Sequence, residues 1–170
     1  MKRRPEADGT APDTGQLDPL EAAKGLALRR LGRLAQTQSQ LTTYLLGKGL
    51  EADLVQAVVD RMVEIGLVND EEYAGMWIRS RRRTRQSGSS AIRRELLAKG
   101  VTADLIEQSL LAEPCDEFEL ALELGTRKWR SVQSLPEPKR SERLVSHLVR
   151  RGHSVGTAWK VARQLGVDDV

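Results

Sequence analysis

Five arginines fall within seven residues, at Arg79, Arg81, Arg82, Arg83 and Arg85, with no acid between them. A guanidinium is a planar fork of donors that fits phosphate or carboxylate oxygens two at a time, so such a cluster is chemistry for holding anions. Arg93, Arg94 and Lys99 extend it. From Trp77 to Gly100, eight basic residues face one acid, Glu95, a local charge of +7 in a chain whose net charge is +3. The competing reading is a solvated helix exterior. Against it, no Glu or Asp stands four residues from any arginine of the 79–85 run to neutralise it.

The other reactive residue types are sparse. His147 and His153 have no Cys or acid at ligand spacing and read as surface histidines, not a metal site. Cys115 precedes Asp116, Glu117 and Glu119, acids that raise a thiol pKa, and reads as a small, partly buried residue. Gly47-Lys48-Gly49 lacks the rest of a phosphate-loop pattern. No paired carboxylates or activated nucleophile stand out, so the expectation is no catalytic residue, no metal, no cofactor and no enzyme.

The cluster must be carried by helices. Over 70–85, Tyr73, Ala74, Trp77 and Ile78 share one arc of roughly 140° at 100° per residue, the expected core face. Arg79, Arg82 and Arg83 fall opposite, toward solvent. Arg81 and Arg85 continue the line of Trp77 and Ile78, so the end of this helix is expected to project beyond the core, because burying two arginines is costly. Gln86-Ser87-Gly88-Ser89-Ser90 reads as a flexible turn. The next helix turns Arg94 and Lys99 outward, with Arg93 at the edge of an apolar arc that includes Leu96. Trp77 and Tyr73 read as core rather than a base-stacking platform, and Trp129 and Trp159 as packing residues.

That helix pair belongs to a repeat. Residues 41–56 and 92–107 match at an offset of 51 with seven identities in sixteen positions, including Lys-Gly and Ala-Asp-Leu. A weaker third copy begins at Leu144, where Arg151-Gly152 takes the place of Lys48-Gly49 and Lys99-Gly100. Leu41, Leu45 and Leu46 share a helical face, as do Ile92, Leu96 and Leu97. The three glycines fit left-handed helix ends, and the basic residue before each suits the negative end of the dipole. Thr102 and Ser154 are N-cap candidates for the following helix, and Asn69 followed by Asp70, Glu71 and Glu72 starts another. The second helix of the first copy carries an apolar stripe of Leu54, Val55, Val58, Val59, Met62 and Val63. One further helical stretch precedes each copy, at about 19–35, 70–85 and 115–130, giving nine helices, with the longest internal loop at Pro136 and Pro138.

The fold expected is therefore all-α, an elongated array of three tandem three-helix repeats at 18–66, 67–113 (basic) and 114–170, after a disordered tail at 1–17. Composition agrees: 24 of 170 residues are Leu and aromatics are 4%, which favours helix packing over a sheet sandwich. No apolar run is long enough to span a membrane, the N-terminus lacks a secretory pattern, and one cysteine cannot form an internal disulfide, so a cytoplasmic monomer is expected.

The order Asp70-x-x-Tyr73-Ala74-x-x-Trp77-Ile78-x-x-Arg81, then Gly88, then Ile92-Arg93-x-Glu95-Leu96-x-x-Lys99-Gly100-Val101, resembles the central signature of the RecX regulatory proteins. The resemblance covers roughly 22–166. In the first unit, Ala35-Gln36-Thr37-Gln38-Ser39 departs from the basic turn more usual in that family. The resemblance implies three-helix repeats and a modulator that binds the RecA–single-stranded-DNA filament and suppresses ATP hydrolysis, strand exchange and SOS co-protease activity, with weak, salt-dependent DNA contact. It carries a basic role onto Arg81, Arg93 and Lys99; Arg79, Arg82, Arg83, Arg85 and Arg94 rest on charge alone. A stand-alone nucleic-acid-binding protein using its helix pairs in a helix-turn-helix manner is the alternative.

Overall fold

The computed structural model describes residues 18–167, all helix and connecting turns; the tail at 1–17 lies outside them. Repeat 1 holds α1 (Pro19–Leu31), α2 (Gln38–Leu46) and α3 (Ala52–Glu64). Repeat 2 holds α4 (Asp70–Arg85), α5 (Ser89–Leu97) and α6 (Ala103–Ala112). Repeat 3 holds α7 (Glu117–Trp129), α8 (Lys139–Arg150) and α9 (Val155–Val167). The main helix-on-helix packing is within each repeat.

Local chemistry sets most boundaries. Asp18, Asn69 and Asp116 open the first helix of each repeat, each side chain accepting from backbone amides of the first turn. Thr37 opens α2 with a capping box closed by Gln40. Ser154 accepts from the Thr157 amide at 3.0 Å, as expected of a cap. Thr102 holds the same position before α6, but its hydroxyl makes no cap bond. Gly49, Gly100 and Gly152 end the second helices with φ of +81°, +80° and +92°, a backbone that L side chains resist.

Each repeat buries its own core. Leu41, Leu45, Val58 and Met62 centre the first; Ile78, Ile92, Leu96 and Ile106 the second; Leu144, Leu148, Ala158 and Val161 the third. Burying one Leu or Ile contributes about 1.5–3 kcal/mol, so each small core depends on every member. Two expected faces are narrower than the wheel suggests. Leu46 and Leu97 are exposed because they follow the innermost Leu45 and Leu96 by one residue, a 100° rotation, at the end of short helices. Val63 is likewise exposed, and Leu54 only half-buried. Trp129 is buried, whereas Trp159 is exposed on α9, so it is not a core residue.

The repeats meet at two joints of the same design. At each, the start of a second helix docks on the next repeat. Thr37 Oγ1 donates to the Lys99 carbonyl at 2.5 Å, and the Gly88 amide, 51 residues on, donates to the Arg151 carbonyl at 2.9 Å. The Gln38 amide donates to Asp70 at 2.9 Å, and the Ser89 amide donates to Glu117 at 3.1 Å. A carboxylate from one repeat thus satisfies the helix N-terminus of the repeat before it, where the dipole favours an anion.

Candidate functional site

The arginine cluster stands on α4 and α5, and the fold divides it in two. Tyr73, Ala74, Ile78 and Leu96 are buried as expected, and Trp77 is half-buried. Arg81 does not project. It lies 3.7 Å over the Trp77 ring, its side chain 17% exposed, and its Nε–H donates to Glu95 Oε2 at 2.5 Å. The Trp77 indole N–H donates to the same oxygen at 2.8 Å. Glu95, the one acid of the segment, therefore pins Trp77 and Arg81 together. Lys99 approaches the Trp77 ring at 4.1 Å, a cation–π contact.

Three more arginines are tied by partners that sequence proximity does not show, two by acids and one by a backbone carbonyl. Arg79 is exposed, as expected, and pairs with Glu113. Arg82, expected in solvent, is half-buried: its Nη1 donates to the Glu113 carbonyl, while its Nε is buried without a partner among the described residues. Arg93 forks onto Glu107 at 2.5 and 2.9 Å, a hydrogen bond that holds the exposed Glu107 carboxyl below its usual range. No acid stands four residues from these arginines along the chain, but α5, α6 and the turn after α6 supply Glu95, Glu107 and Glu113 from across the repeat.

What remains free is Arg83, Arg85 and Arg94, exposed and in no ion pair among the described residues; Lys99, expected to turn outward, is half-buried against the Trp77 ring. Two arginines not singled out in sequence as binding residues stand with Arg85 and Arg94: the exposed Arg150 and the half-buried Arg151, whose Nη1 donates to the Arg85 carbonyl. Arg85, Arg94, Arg150 and Arg151 line one cleft of about 400 Å³ at the second joint. The signal was present in the repeat alignment, where Arg151 matches Lys99.

The turn after α4 is not flexible. Gln86, Ser87 and Gly88 are buried in the joint. Gln86 adopts φ +45°, accepts from Arg127 through its side chain, and its carbonyl lies 2.9 Å from His153 Nε2. His153 is accordingly 3% exposed, not a surface residue, and its Nδ1 lies 3.5 Å from Glu117. Burial opposes ionisation of Glu117, but the neighbouring His153 and the bonds from Ser89 outweigh that and hold its carboxyl low. Asp70, at the other joint, is raised by burial against the bond from Gln38. His147 is half-buried, and burial pushes its pKa down, aided by Arg151, Lys128 and Arg150. Cys115 is exposed rather than partly buried. Partial desolvation raises its thiol; Arg82 opposes this, and Glu117 and Asp116 add to it.

Among the described residues, no three His, Cys, Asp or Glu side chains converge to hold a metal, and no helix is long and apolar enough to cross a membrane.

The chain matches family models described as the first, second and third three-helix domains of RecX, over residues 23–62, 69–110 and 116–161. It is 36% identical over 148 residues to the regulatory protein RecX of Streptomyces coelicolor, covering 86% of this chain and 79% of that one. It is 31% identical over 161 residues to the RecX of Thermobifida fusca, covering 94% and 85%. Among solved structures, RecX from Lactobacillus salivarius superposes with a TM-score of 0.80 at 18% identity, over 88% of this chain and 98% of that one. Three repeats in register, with sequence likeness along most of the chain, place it: the chain belongs to the RecX family of regulatory proteins.

Proposed function

We propose that the chain is a non-enzymatic, cytoplasmic regulator that binds the RecA filament on single-stranded DNA as a monomer. It restrains RecA ATP hydrolysis, strand exchange and co-protease activity, and so modulates recombination and the SOS response. The observation that carries this reading is the division of the basic cluster. Arg79, Arg81, Arg82 and Arg93 are used inside repeat 2 and Lys99 lies against Trp77, whereas Arg83, Arg85 and Arg94 remain exposed with no carboxylate paired to them among the described residues. Unpaired positive charge on the surface of a tandem array suits a long, repeating anionic partner.

The helix-turn-helix alternative fits less well. The helix that would read bases, α6, presents Asp104 to solvent, a charge DNA phosphates repel, and its Glu107 is occupied by Arg93. The test is RecA's DNA-dependent ATP hydrolysis with the protein titrated from well below stoichiometric. Inhibition is the expected result; no effect at equimolar protein would overturn the reading.

A further inference from the structure

The cleft at the second joint is built from two repeats. Arg85 closes α4 and Arg94 stands in the last turn of α5, while Arg150 and Arg151 come from the end of α8. Ala91 and Ala98 keep it open between these side chains. One carboxylate lines it, Glu95, and that group is already held by Arg81 and Trp77.

Helix ends attract cations, so the bland explanation is that these arginines serve the dipoles of α4, α5 and α8. The magnitudes do not support it. Three helix C-termini supply roughly half a negative charge each. Four guanidiniums exceed that by more than two charges, and Glu95 is balanced by Arg81. The surplus suits a ligand carrying several anionic groups close together.

We propose that this cleft holds successive backbone phosphates of single-stranded nucleic acid, a proposal that rests on the reading of the basic repeat as a binding surface. Phosphates match the arginine fork two oxygens at a time. They are fixed to the backbone of their own chain, whereas each carboxylate of an acidic peptide rides on a rotating side chain that costs up to about 2 kcal/mol to immobilise. A duplex is stiff over a persistence length of about 50 nm and cannot bend into a cleft between two repeats; a single strand follows it. The cleft is also part of the joint. Arg151 Nη1 donates to the Arg85 carbonyl at 3.1 Å, and the Arg151 carbonyl accepts from Gly88. A strand held across it ties repeat 2 to repeat 3.

The test is fluorescence anisotropy of labelled oligo(dT) with the full chain, without RecA, over a salt series. Arg94→Glu with Arg150→Glu is compared with Arg29→Glu and Arg163→Glu, exposed arginines elsewhere that change net charge equally. The cleft pair is expected to lose at least about tenfold in affinity and to lower the salt slope by about 1.4, the value for two lost single-strand phosphate contacts. The control pair is expected to keep its slope. Arg94→Gln with Arg150→Gln gives the same readout if the reversals impair helicity or melting. Equal losses in both pairs, or none, would overturn the proposal. So would poly-glutamate competing as well as oligo(dT) at equal charge, which assigns the cleft to acidic protein, or pyrophosphate displacing the strand at equal phosphate, which assigns it to free phosphate. The RecA assay separates the two readings: a wild-type chain that binds oligo(dT) through the cleft but leaves RecA unaffected keeps the cleft and loses the regulator.

Discussion

The Gly88 amide donates to the Arg151 carbonyl across the second joint, as Thr37 donates to Lys99 across the first. Gly88 has an ordinary φ of −72°, so its need for glycine is spatial: a Cβ there would collide with the Gly152 carbonyl. Gly88→Ala is expected to cost about 1–3 kcal/mol by forcing the repeats apart. Gly49 offers a comparison, since a Cβ there meets nothing within 4 Å among the described residues. Gly49→Ala should cost only the left-handed backbone penalty of about 1–2 kcal/mol. Urea unfolding of both variants, with proteolysis of the joint as a second readout, checks this. Unaltered joint protection in Gly88→Ala would refute it.

Glu95 binds both Trp77 and Arg81, so its removal strands two donors. Glu95→Ala is expected to destabilise the protein by about 1–3 kcal/mol and to change Trp77 emission. Glu95→Gln should also raise affinity for anions at low salt, by freeing Arg81, and lose that gain as salt screens the charge. Anion affinity below wild type in Glu95→Gln would contradict this arrangement.

The paired and free arginines should differ in function. Reversing Arg83 and Arg85 to Glu is expected to raise the protein needed for half-inhibition of RecA ATP hydrolysis about tenfold, an effect equal to 1.4 kcal/mol. Arg79→Ala and Arg93→Ala break exposed pairs that water screens and should shift inhibition much less. The reverse ranking would mean that the pairs open on binding.

The two joints carry carboxylates shifted in opposite directions. Glu117 is held below its ordinary 4.5, so its contribution is present above that value and is lost as pH falls through the folded one. Asp70 is raised above its ordinary 3.8, so its contribution is present below that value and lost as pH rises. At neutral pH, Glu117→Gln should destabilise and Asp70→Asn should be neutral or stabilising. Melting temperatures from about pH 7 to pH 3 should converge with wild type for Glu117→Gln in acid.

Much of this was legible in the chain. The offset of 51, the Lys-Gly and Arg-Gly ends and the apolar spacing are local patterns, and local patterns specify helices and their number. The joints were not legible. Asp70 and Glu117 read as acids at the start of their own helices, and only the packed repeats reveal that they cap α2 and α5. Gln86, Ser87 and Gly88 look like a polar turn because a turn and a polar joint are written in the same residues. The pairing of Arg79, Arg81 and Arg93 was hidden for the same reason: Glu113, Glu95 and Glu107 are far along the chain and near only in space.

Each joint is made from unlike surfaces, the start of a second helix on one side and a glycine turn with a carboxylate on the other. Head-to-tail contacts of this kind give an array a direction. A nucleic-acid strand has one as well, from 5′ to 3′. Laid along such a strand, the protein faces two inequivalent orientations, and the arginines of the second joint meet different phosphates in each. The order of the repeats is then information: it tells the molecule which way along the strand it is pointing.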